Sequence, residues 1–347
     1  MSSEQNDTGR RRATMRDVAT MAGVGIATVS RVVNGKPVTP ELEERVTRAA
    51  ELLGYRQDLT ASSLRRADRR THTLGLVLED AANPFSAALH RAVEDAAAER
   101  GMLLLAGSTD EDPVRERGLL KTFTARRVDG LIVVPTGQND TDLDAARRTG
   151  TPVVCVDRRT MAPQVDTVTV DNRAGVRAAV KRLHEAGHRR IAFLGDLRSI
   201  WTAEERYRGF VEGLAEVGCV LHPSLVRRDL HGTEAAQKAA GELLALAHAP
   251  TALVSGQNLL TIGARMTLQE FQLQRRVALI GFDDLPLADL LEPGISVIAQ
   301  EHAAIGREAA GLLFDRLDGE GGPARHRVLP TRYLARGSGE LPVPEDG

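Results

Sequence analysis

The hydrophobic residues follow two different patterns along the chain, and the change between them falls near residue 72. In residues 15–35 they recur at helical spacing in two short segments, which are separated by Gly23-Val24-Gly25. From Thr73 onward, short apolar runs alternate with amphipathic stretches, a pattern typical of parallel strands joined by helices. The runs cover residues 74–78, 102–106, 130–134, 152–156, 191–195, 225–229, 251–255 and 277–282. The pattern predicts an all-α N-terminal domain and an α/β body of two doubly wound lobes.

The two N-terminal segments are typical of a helix-turn-helix, in which the second helix enters the major groove of DNA. Thr14 can cap the first helix with Asp17 as the capping-box acid, and Gly23 suits the turn. Thr39-Pro40 predicts the start of a third helix, which ends at Gly54. Apolar side chains can close a small core: Val18, Ala19, Ala22, Val24, Val29, Val32 and Val33. Polar side chains remain on the other face of the second helix: Thr28, Ser30, Arg31 and Asn34. The alternative interpretation is a small α-hairpin buried in a larger fold.

Composition and charge narrow the function classes. The chain has 347 residues, enough for two or three domains, and its only cysteines are Cys155 and Cys219, so a disulfide framework is not expected. No apolar run approaches the ~18 residues of a membrane span, and the polar N-terminus does not resemble a signal peptide. Residues 1–70 hold 13 Lys and Arg against 9 Asp and Glu, whereas the rest holds 32 against 38. A basic module on an acidic body favours a DNA-binding protein. The low cysteine content favours a reducing cytoplasm.

The segment from Thr14 to Asn34 resembles the N-terminal signature of LacI/GalR-type regulators, which reads close to T-x-x-D-V-A-x-x-A-G-V-S-x-x-T-V-S-R-x-x-N. Gly25 stands where this family usually carries serine, so a more weakly capped second helix is expected. The resemblance implies a transcriptional regulator, typically a repressor, that binds a pseudo-palindromic double-stranded DNA operator as a homodimer. It also implies the DNA-binding residues Thr14, Gly25, Ile26, Ala27, Thr28, Ser30, Arg31 and Asn34.

Two flanking segments complete the expected DNA-binding part. Residues 1–13 are interpreted as a disordered arm, and residues 14–55 as the helix-turn-helix domain. Residues 56–72 are basic and correspond to the family's hinge, with Leu64 in the place of a leucine that is levered into the minor groove and Arg65 in the adjacent basic place. The alternative for residues 56–72 is a solvated linker.

The resemblance gives the body, residues 73–335, a fold similar to periplasmic sugar-binding proteins, with an effector bound between the lobes. It assigns about 73–170 and 300–320 to lobe one, 171–299 and 321–335 to lobe two, and 336–347 to a tail. The effector, a sugar or related polar metabolite, is expected to contact Phe85, Ser86, Asp157, Trp201, Arg206, Gln257, Asn258 and Asp283. In the family an arginine matching Arg206 and an acid matching Asp283 grip the ligand. Alternatively, those two side chains only hold the cleft together.

One motif points to a different class. His184-Glu185-Ala186-Gly187-His188 matches the H-E-x-x-H helix of zinc proteases. That chemistry needs both imidazoles on one continuous helix, but Gly187 precedes a strand and suits a helix C-terminus. We therefore expect the helix to end before His188, and we expect no metal, no cofactor and no enzymatic activity. A small-molecule receptor without DNA function is the other alternative.

Overall fold

The computed structural model describes residues 13–55 and 70–344. The chain divides at Thr71–His72 into two compact units, a headpiece and a body. The body has two halves, called lobe one and lobe two, and each half is built on one sheet. Leu64, Arg65, the arm up to residue 12 and linker residues 56–69 lie outside the described residues.

The headpiece consists of three helices: α1 (Met15–Ala22), α2 (Ile26–Val33) and α3 (Pro40–Leu52). Val18, Val29 and Val46 are fully buried between the helices, and the predicted apolar residues pack around them. Gly23 ends α1 in the left-handed conformation at φ 63°, and the guanidinium of Arg45 donates to the carbonyl of Ala22 over 2.8 Å. These features are those of the predicted helix-turn-helix.

The body contains twelve strands and eight α-helices within residues 72–344. The strands are β1 (Thr73–Leu78), β2 (Leu103–Ser108), β3 (Gly130–Val133), β4 (Val153–Val156), β5 (Asp166–Val170), β6 (Ile191–Leu194), β7 (Val226–Arg227), β8 (Ala252–Ser255), β9 (Ala278–Phe282), β10 (Ser296–Ala299), β11 (His326–Leu329) and β12 (Arg332–Leu334). The helices are α4 (Pro84–Glu99), α5 (Pro113–Ala125), α6 (Asp140–Arg148), α7 (Asn172–Glu185), α8 (Trp201–Glu216), α9 (Gly232–Leu244), α10 (Asn258–Glu270) and α11 (His302–Leu317).

The two sheets repeat one topology. Lobe one has the strand order β11-β5-β4-β3-β1-β2, and lobe two has β12-β10-β9-β8-β6-β7. All pairs are parallel except β10 with β12. Each sheet separates two buried apolar clusters, so helices cover both of its faces. The doubly wound prediction is therefore correct, and the strand ends provide the loops in which such folds place their ligands.

The lobe boundary near the C-terminus was predicted wrongly. Residues 321–335 were expected in lobe two, but β11 pairs with β5 in lobe one, and only β12 belongs to lobe two. The apolar pattern gave no guidance, because His326 and Arg327 are exposed and strand pairing here spans more than 150 residues of sequence. The predicted strand at 225–229 is also shorter, since only Val226–Arg227 pairs.

The segment predicted as a tail packs on lobe two as far as it is described. The Ser338 hydroxyl donates to the carbonyl of Leu279 over 2.6 Å and accepts from the amide of Ser296 over 2.9 Å. The carboxylate of Glu340 accepts from the hydroxyl of Ser296 over 2.7 Å. Residues 338–340 thus add hydrogen bonds to the start of β9 and β10.

The H-E-x-x-H segment is not one helix. Helix α7 ends at Glu185, and Gly187 turns the chain at φ 99°. His188 is fully buried, with Nδ1 2.9 Å from the hydroxyl of Thr251 and Nε2 2.9 Å from the carbonyl of Leu341. Burial lowers its pKa, which keeps the imidazole neutral. Both ring nitrogens hold the fold, so the expectation that the helix ends before His188 is confirmed.

No helix within residues 13–55 and 70–344 is long and apolar enough to cross a bilayer.

Candidate functional site

The first half of α2 presents small and apolar side chains to the surface of the headpiece. Gly25, Ile26, Ala27 and Arg31 are exposed, while Thr28, Ser30 and Asn34 are partly buried. Nη2 of Arg31 donates to the carbonyl of Pro37 over 2.7 Å, and Nδ2 of Asn34 donates to the carbonyl of Ser30 over 2.6 Å. Arg31 is exposed and can break its hydrogen bond to Pro37 without exposing the hydrophobic core. Asn34, in contrast, caps the C-terminus of α2.

The two helix starts differ in their capping. Thr14 and Asp17 form the predicted capping box, with the carboxylate of Asp17 accepting from the Thr14 amide over 2.8 Å. Gly25 begins α2 with φ −72° and has no side chain to accept from the first turn. A Cβ at Gly25 would meet no atom within 4 Å. The surface around the start of α2 therefore has room for a capping residue that the sequence does not supply.

In the body, carboxyl ends of strands from both lobes meet around a small polar cavity. Asp157 follows β4 and Asp283 follows β9, which occupy the same place in the two strand orders. Both are buried and both have left-handed backbones, at φ 67° and 69°. Such conformations are costly for residues other than glycine and concentrate at functional sites. The pair is therefore the centre of the candidate effector site.

The two aspartates have different surroundings. Oδ1 of Asp157 has no hydrogen-bond partner among the described residues, and burial raises the pKa of its carboxyl. Oδ1 of Asp283 accepts from Nε2 of Gln300 over 2.6 Å, and His302 Nε2 lies 3.7 Å away. Burial opposes ionisation of Asp283, but His302 and the charge of Arg206 outweigh it and lower the pKa. Asp283 is thus a satisfied anion, and Asp157 is an unsatisfied acceptor.

Lobe one adds an ion cluster that sequence reasoning missed. Arg158 is 3% exposed, and its guanidinium binds Glu79 over 2.8 Å and both oxygens of Glu111 over 2.5 and 2.8 Å. Its Nε lies 3.6 Å from a carboxylate oxygen of Asp157. Burial raises the pKa of Glu79 to about 7, although Arg158 partly opposes the shift. The cluster lies directly after β1, β2 and β4.

In lobe two, Arg206 reaches the cavity from α8. Its Nε donates to Asn172 over 2.7 Å, and its Nη1 donates to the carbonyl of Gly256 over 2.9 Å. The guanidinium lies 3.8 Å from the centroid of the Phe282 ring. Arg206 is therefore held in place before any ligand binds.

The remaining predicted contacts divide into two groups. Phe85 and Gln257 line the cavity, although Gln257 also caps α10 through its side-chain oxygen. Ser86 and Asn258 are buried and do not line the cavity. The amide of Asn258 donates instead to Asn83 of lobe one over 2.7 Å. Trp201 is outside the lining, and the guanidinium of Arg159 lies 5.5 Å from the centroid of its ring.

Several lining residues were not predicted as effector contacts: Glu79, Arg158, Asp196 and Gln300. Asp196 follows β6, just as Glu79 follows β1, so its position at a strand end was a signal that could have been used. The cavity that these residues enclose is about 20 Å³, room for roughly one water. The two lobes are therefore nearly closed on one another.

Comparison with known proteins gives the family. Residues 14–58 match the family described as bacterial regulatory proteins, lacI family, and residues 180–339 match the periplasmic binding protein-like domain. The regulator PtxS of Pseudomonas plecoglossicida is 34% identical over 340 residues, which cover 95% of this chain and 96% of PtxS. The chain belongs to the LacI family. It is thus a DNA-binding transcriptional regulator, as the signature from Thr14 to Asn34 predicted.

Solved structures of LacI-family proteins agree with this assignment. The transcriptional regulator CelR in complex with cellobiose is 31% identical, with a TM-score of 0.70, covering 94% of this chain and all of CelR. The Lac repressor dimer bound to operator is 22% identical, with a TM-score of 0.81, covering 95% and 99% of the two chains. The second likeness concerns the fold alone. Both extend over the headpiece and the body.

We predict that Gly25→Ser stabilises α2 of this LacI-family headpiece and that Gly25→Ala destabilises it. Serine adds the missing acceptor at the helix start and should protect the first-turn amides by about 0.3 kcal/mol, whereas alanine caps less well than glycine. Hydrogen exchange of the Ala27 and Thr28 amides in the full-length protein measures the effect. Equal protection in both variants would show that capping does not limit this helix.

We also predict opposite effects for Asp157→Asn and Asp283→Asn. Removal of the unsatisfied buried charge at Asp157 should raise the free energy of unfolding at pH 8 by on the order of 1 kcal/mol. Removal of the well-bonded charge at Asp283 should lower it by about 1 kcal/mol. Asparagine tolerates the left-handed backbone at both sites, so conformation is matched.

Urea unfolding of the two variants and the wild type gives these free energies. The advantage of Asp157→Asn should shrink as the pH is lowered from 8 toward the raised pKa of Asp157. The reason is that wild-type folded protein takes up a proton at Asp157 while the unfolded chain stays ionised. A loss of stability in Asp157→Asn comparable to that in Asp283→Asn would contradict the assignment of Asp157 as an unsatisfied acceptor.

Proposed function

We propose that this regulator is a repressor that binds a pseudo-palindromic operator as a homodimer and that a sugar or related polar metabolite between the lobes controls its affinity. The observation that carries the proposal is the presence, on one chain, of a helix-turn-helix and a cleft with an unsatisfied buried carboxylate. The proposed role of the protein is regulatory and requires no catalysis. Ligand binding in the cleft would change operator affinity by about 1–3 kcal/mol, the usual size of allosteric coupling.

The exposed start of α2 supports the proposed DNA contacts. Ile26 and Ala27 offer methyl groups for thymine, and Arg31 can turn from Pro37 to a phosphate or a base edge. Thr28 and Ser30 supply hydroxyl donors to phosphate. Thr14, Gly25 and Asn34 place helix ends near the DNA and contribute backbone groups.

A homodimer is supported by apolar side chains on the body surface. Leu103 of β2 and Val114 of α5 are 65% and 70% exposed in lobe one. Leu287 and Leu290 are 67% and 72% exposed in lobe two. Exposed apolar groups of this size favour burial against another protein surface, and the Lac repressor structure is that of a dimer.

Cellobiose in the similar CelR structure supports a sugar as the ligand class here. In the proposed site, Arg206 donates to a ligand oxygen, while Asp157 and Asp283 accept from ligand hydroxyls. Phe85 provides apolar area and Gln257 supplies its amide nitrogen, while Trp201, which lies outside the lining, would contribute only when the lobes separate. Ser86 and Asn258 are buried behind the lining, where Asn258 holds the lining residue Asn83 in place.

We predict that the full-length protein recovers a two-fold symmetric sequence from sheared genomic DNA. Two copies of α2 related by a dyad read two half-sites, so sequencing of bound fragments should show an inverted repeat. Binding should weaken steeply with added salt, because Lys and Arg release counterions from DNA. Arg31→Ala should reduce operator affinity by about tenfold or more without changing the unfolding of the body. A protein that recovers no sequence would be a receptor without DNA function.

We further predict that Leu64→Ala weakens operator binding much more than non-specific binding. A leucine wedged into the minor groove gains energy only where the DNA step can open, so its loss reduces discrimination. Leu59→Ala, in the same linker, is the control and should leave the ratio of the two affinities unchanged. Fluorescence anisotropy with operator and scrambled duplexes measures both affinities. An equal loss on both duplexes in Leu64→Ala would exclude the wedge role.

A further inference from the structure

The charges around the cleft are unbalanced. Two guanidinium groups, on Arg158 and Arg206, face five carboxylates: Glu79, Glu111, Asp157, Asp196 and Asp283. Two imidazoles lie at the margin. Nδ1 of His231 is 3.4 Å from Oδ1 of Asp196, and this hydrogen bond raises the pKa of His231. Nε2 of His302 is 3.7 Å from Oδ1 of Asp283. Above the pKa of about 7 that burial gives Glu79, a ligand anion would therefore meet mainly negative charge.

Both terminal nitrogens of Arg158 are fully occupied, and its Nε, which has no hydrogen bond among the described residues, lies 3.6 Å from a carboxylate oxygen of Asp157. Nη1 donates to Glu111 over 2.8 Å and lies 3.3 Å from the carbonyl of Pro135. Nη2 donates to Glu79 over 2.8 Å and to Glu111 over 2.5 Å. A guanidinium with a bidentate carboxylate partner and a second carboxylate is neutralised where it stands. Arg158 therefore does not act as an anion receptor.

Arg206 is only partly occupied. Its Nε donates to Asn172 and its Nη1 to the carbonyl of Gly256, so one N–H of Nη1 and both of Nη2 have no partner among the described residues. Its charge is already shared with Asp157 and Asp283, because it favours ionisation of both carboxyl groups. We therefore expect its remaining hydrogens to bind hydroxyl or ring oxygens of a ligand.

The cleft has buried polar atoms of both kinds without a hydrogen-bond partner among the described residues: two acceptor oxygens, and the nitrogens Nε of Arg158 and Nε2 of His302. Oδ1 of Asp157 and Oε1 of Gln300 have no hydrogen-bond partner among the described residues, and both residues are only 5% exposed. Buried acceptors of this kind are satisfied by hydroxyl or ammonium hydrogens and are left unpaired by a ligand oxyanion. Asp157 and Gln300 thus require hydrogens from the ligand, and hydroxyl groups can both donate to them and accept from the neighbouring nitrogens.

We propose that the cleft selects a hydroxyl-rich ligand without negative charge and that Glu79 and Glu111 exclude sugar acids and sugar phosphates by holding Arg158. The inference rests on the proposed effector function of the cleft and adds the chemical class of the effector. A neutral sugar is the favoured occupant, and an amino sugar is compatible with the same acceptors. Arg158 becomes an anion receptor only if its carboxylate partners are neutralised.

The test uses the full-length protein at pH 8, where Glu79 is ionised, and compares matched probes. Glucose is paired with gluconate and glucose 6-phosphate, cellobiose with cellobionate, and sulfate serves as the simple anion. Trp201 is the only tryptophan in the chain, and it lies beside Arg159 of lobe one, so its fluorescence reports changes between the lobes. Calorimetry gives the affinities independently.

Two variants provide the comparison. Glu79→Gln/Glu111→Gln retains shape but frees the charge of Arg158, and Glu111→Gln alone serves if the double variant does not fold. Glu99→Gln/Glu234→Gln removes the same charge from exposed positions and is the matched control. We expect the wild type and the control to bind each acid or phosphate at least about tenfold more weakly than its neutral partner. We expect the cleft variant to bind anions, sulfate included, at least about tenfold more tightly than the control does.

The inference is overturned if the wild type binds an acid or phosphate as tightly as the neutral sugar. It is also overturned if the cleft variant gains no affinity for sulfate, a result that does not depend on which sugar is the effector. Failure of the proposed regulatory function has a different signature. In that case no operator is recovered from genomic DNA, while the anion affinities of the wild type and the cleft variant remain measurable.

Discussion

The parallel direction of the strands in the two sheets determines where the polar chemistry of the body can lie. The central strands of both lobes, β1, β3 and β4 in one and β6, β8 and β9 in the other, are buried on two faces and carry almost only apolar side chains. Around these strands, charged groups are consequently found beyond the strand ends, and the carboxyl ends of both sheets meet at one cavity. Asp157 and Asp283, at equivalent strands, show how closely the second lobe repeats the first. The function of the cleft depends on the differences between these repeats.

Those differences lie in how buried charge is compensated. Asp283 is surrounded by donors, and Arg158 is surrounded by acceptors, so each of these charges is paired within the protein. Asp157 is buried with one unpaired oxygen, an arrangement that costs free energy in the absence of a ligand. A ligand hydroxyl or a water in the cavity can supply the missing hydrogen bond. Stability and binding therefore make opposite demands on this residue.

The sequence predicted the larger features well because they follow from local periodicity. The helix-turn-helix, the alternation of strands and helices and the end of α7 before His188 all depend on spacing and on glycine conformation. Phe85, Asp157, Arg206 and Asp283 were predicted through the family signature and the strand-end rule. Arg158 was missed because its role depends on Glu79 and Glu111, which are 79 and 47 residues away in sequence. The pairing of β11 with β5 was missed for the same reason.

The nearly filled cavity links the cleft to the movement of the lobes. A cavity of about 20 Å³ cannot admit a sugar unless the lobes separate or side chains leave it. Separation breaks the hydrogen bond between Asn83 and Asn258 and the contact between Arg159 and Trp201, which join the lobes. The free energy of these contacts opposes ligand entry, whereas hydrogen bonds from the ligand to Asp157 and Gln300 favour closure around it. Only the difference between these terms can move the lobes, because a ligand shifts a conformational equilibrium only by its differential affinity for the two states. The unpaired oxygens of Asp157 and Gln300 are therefore among the groups through which a ligand can act on the body.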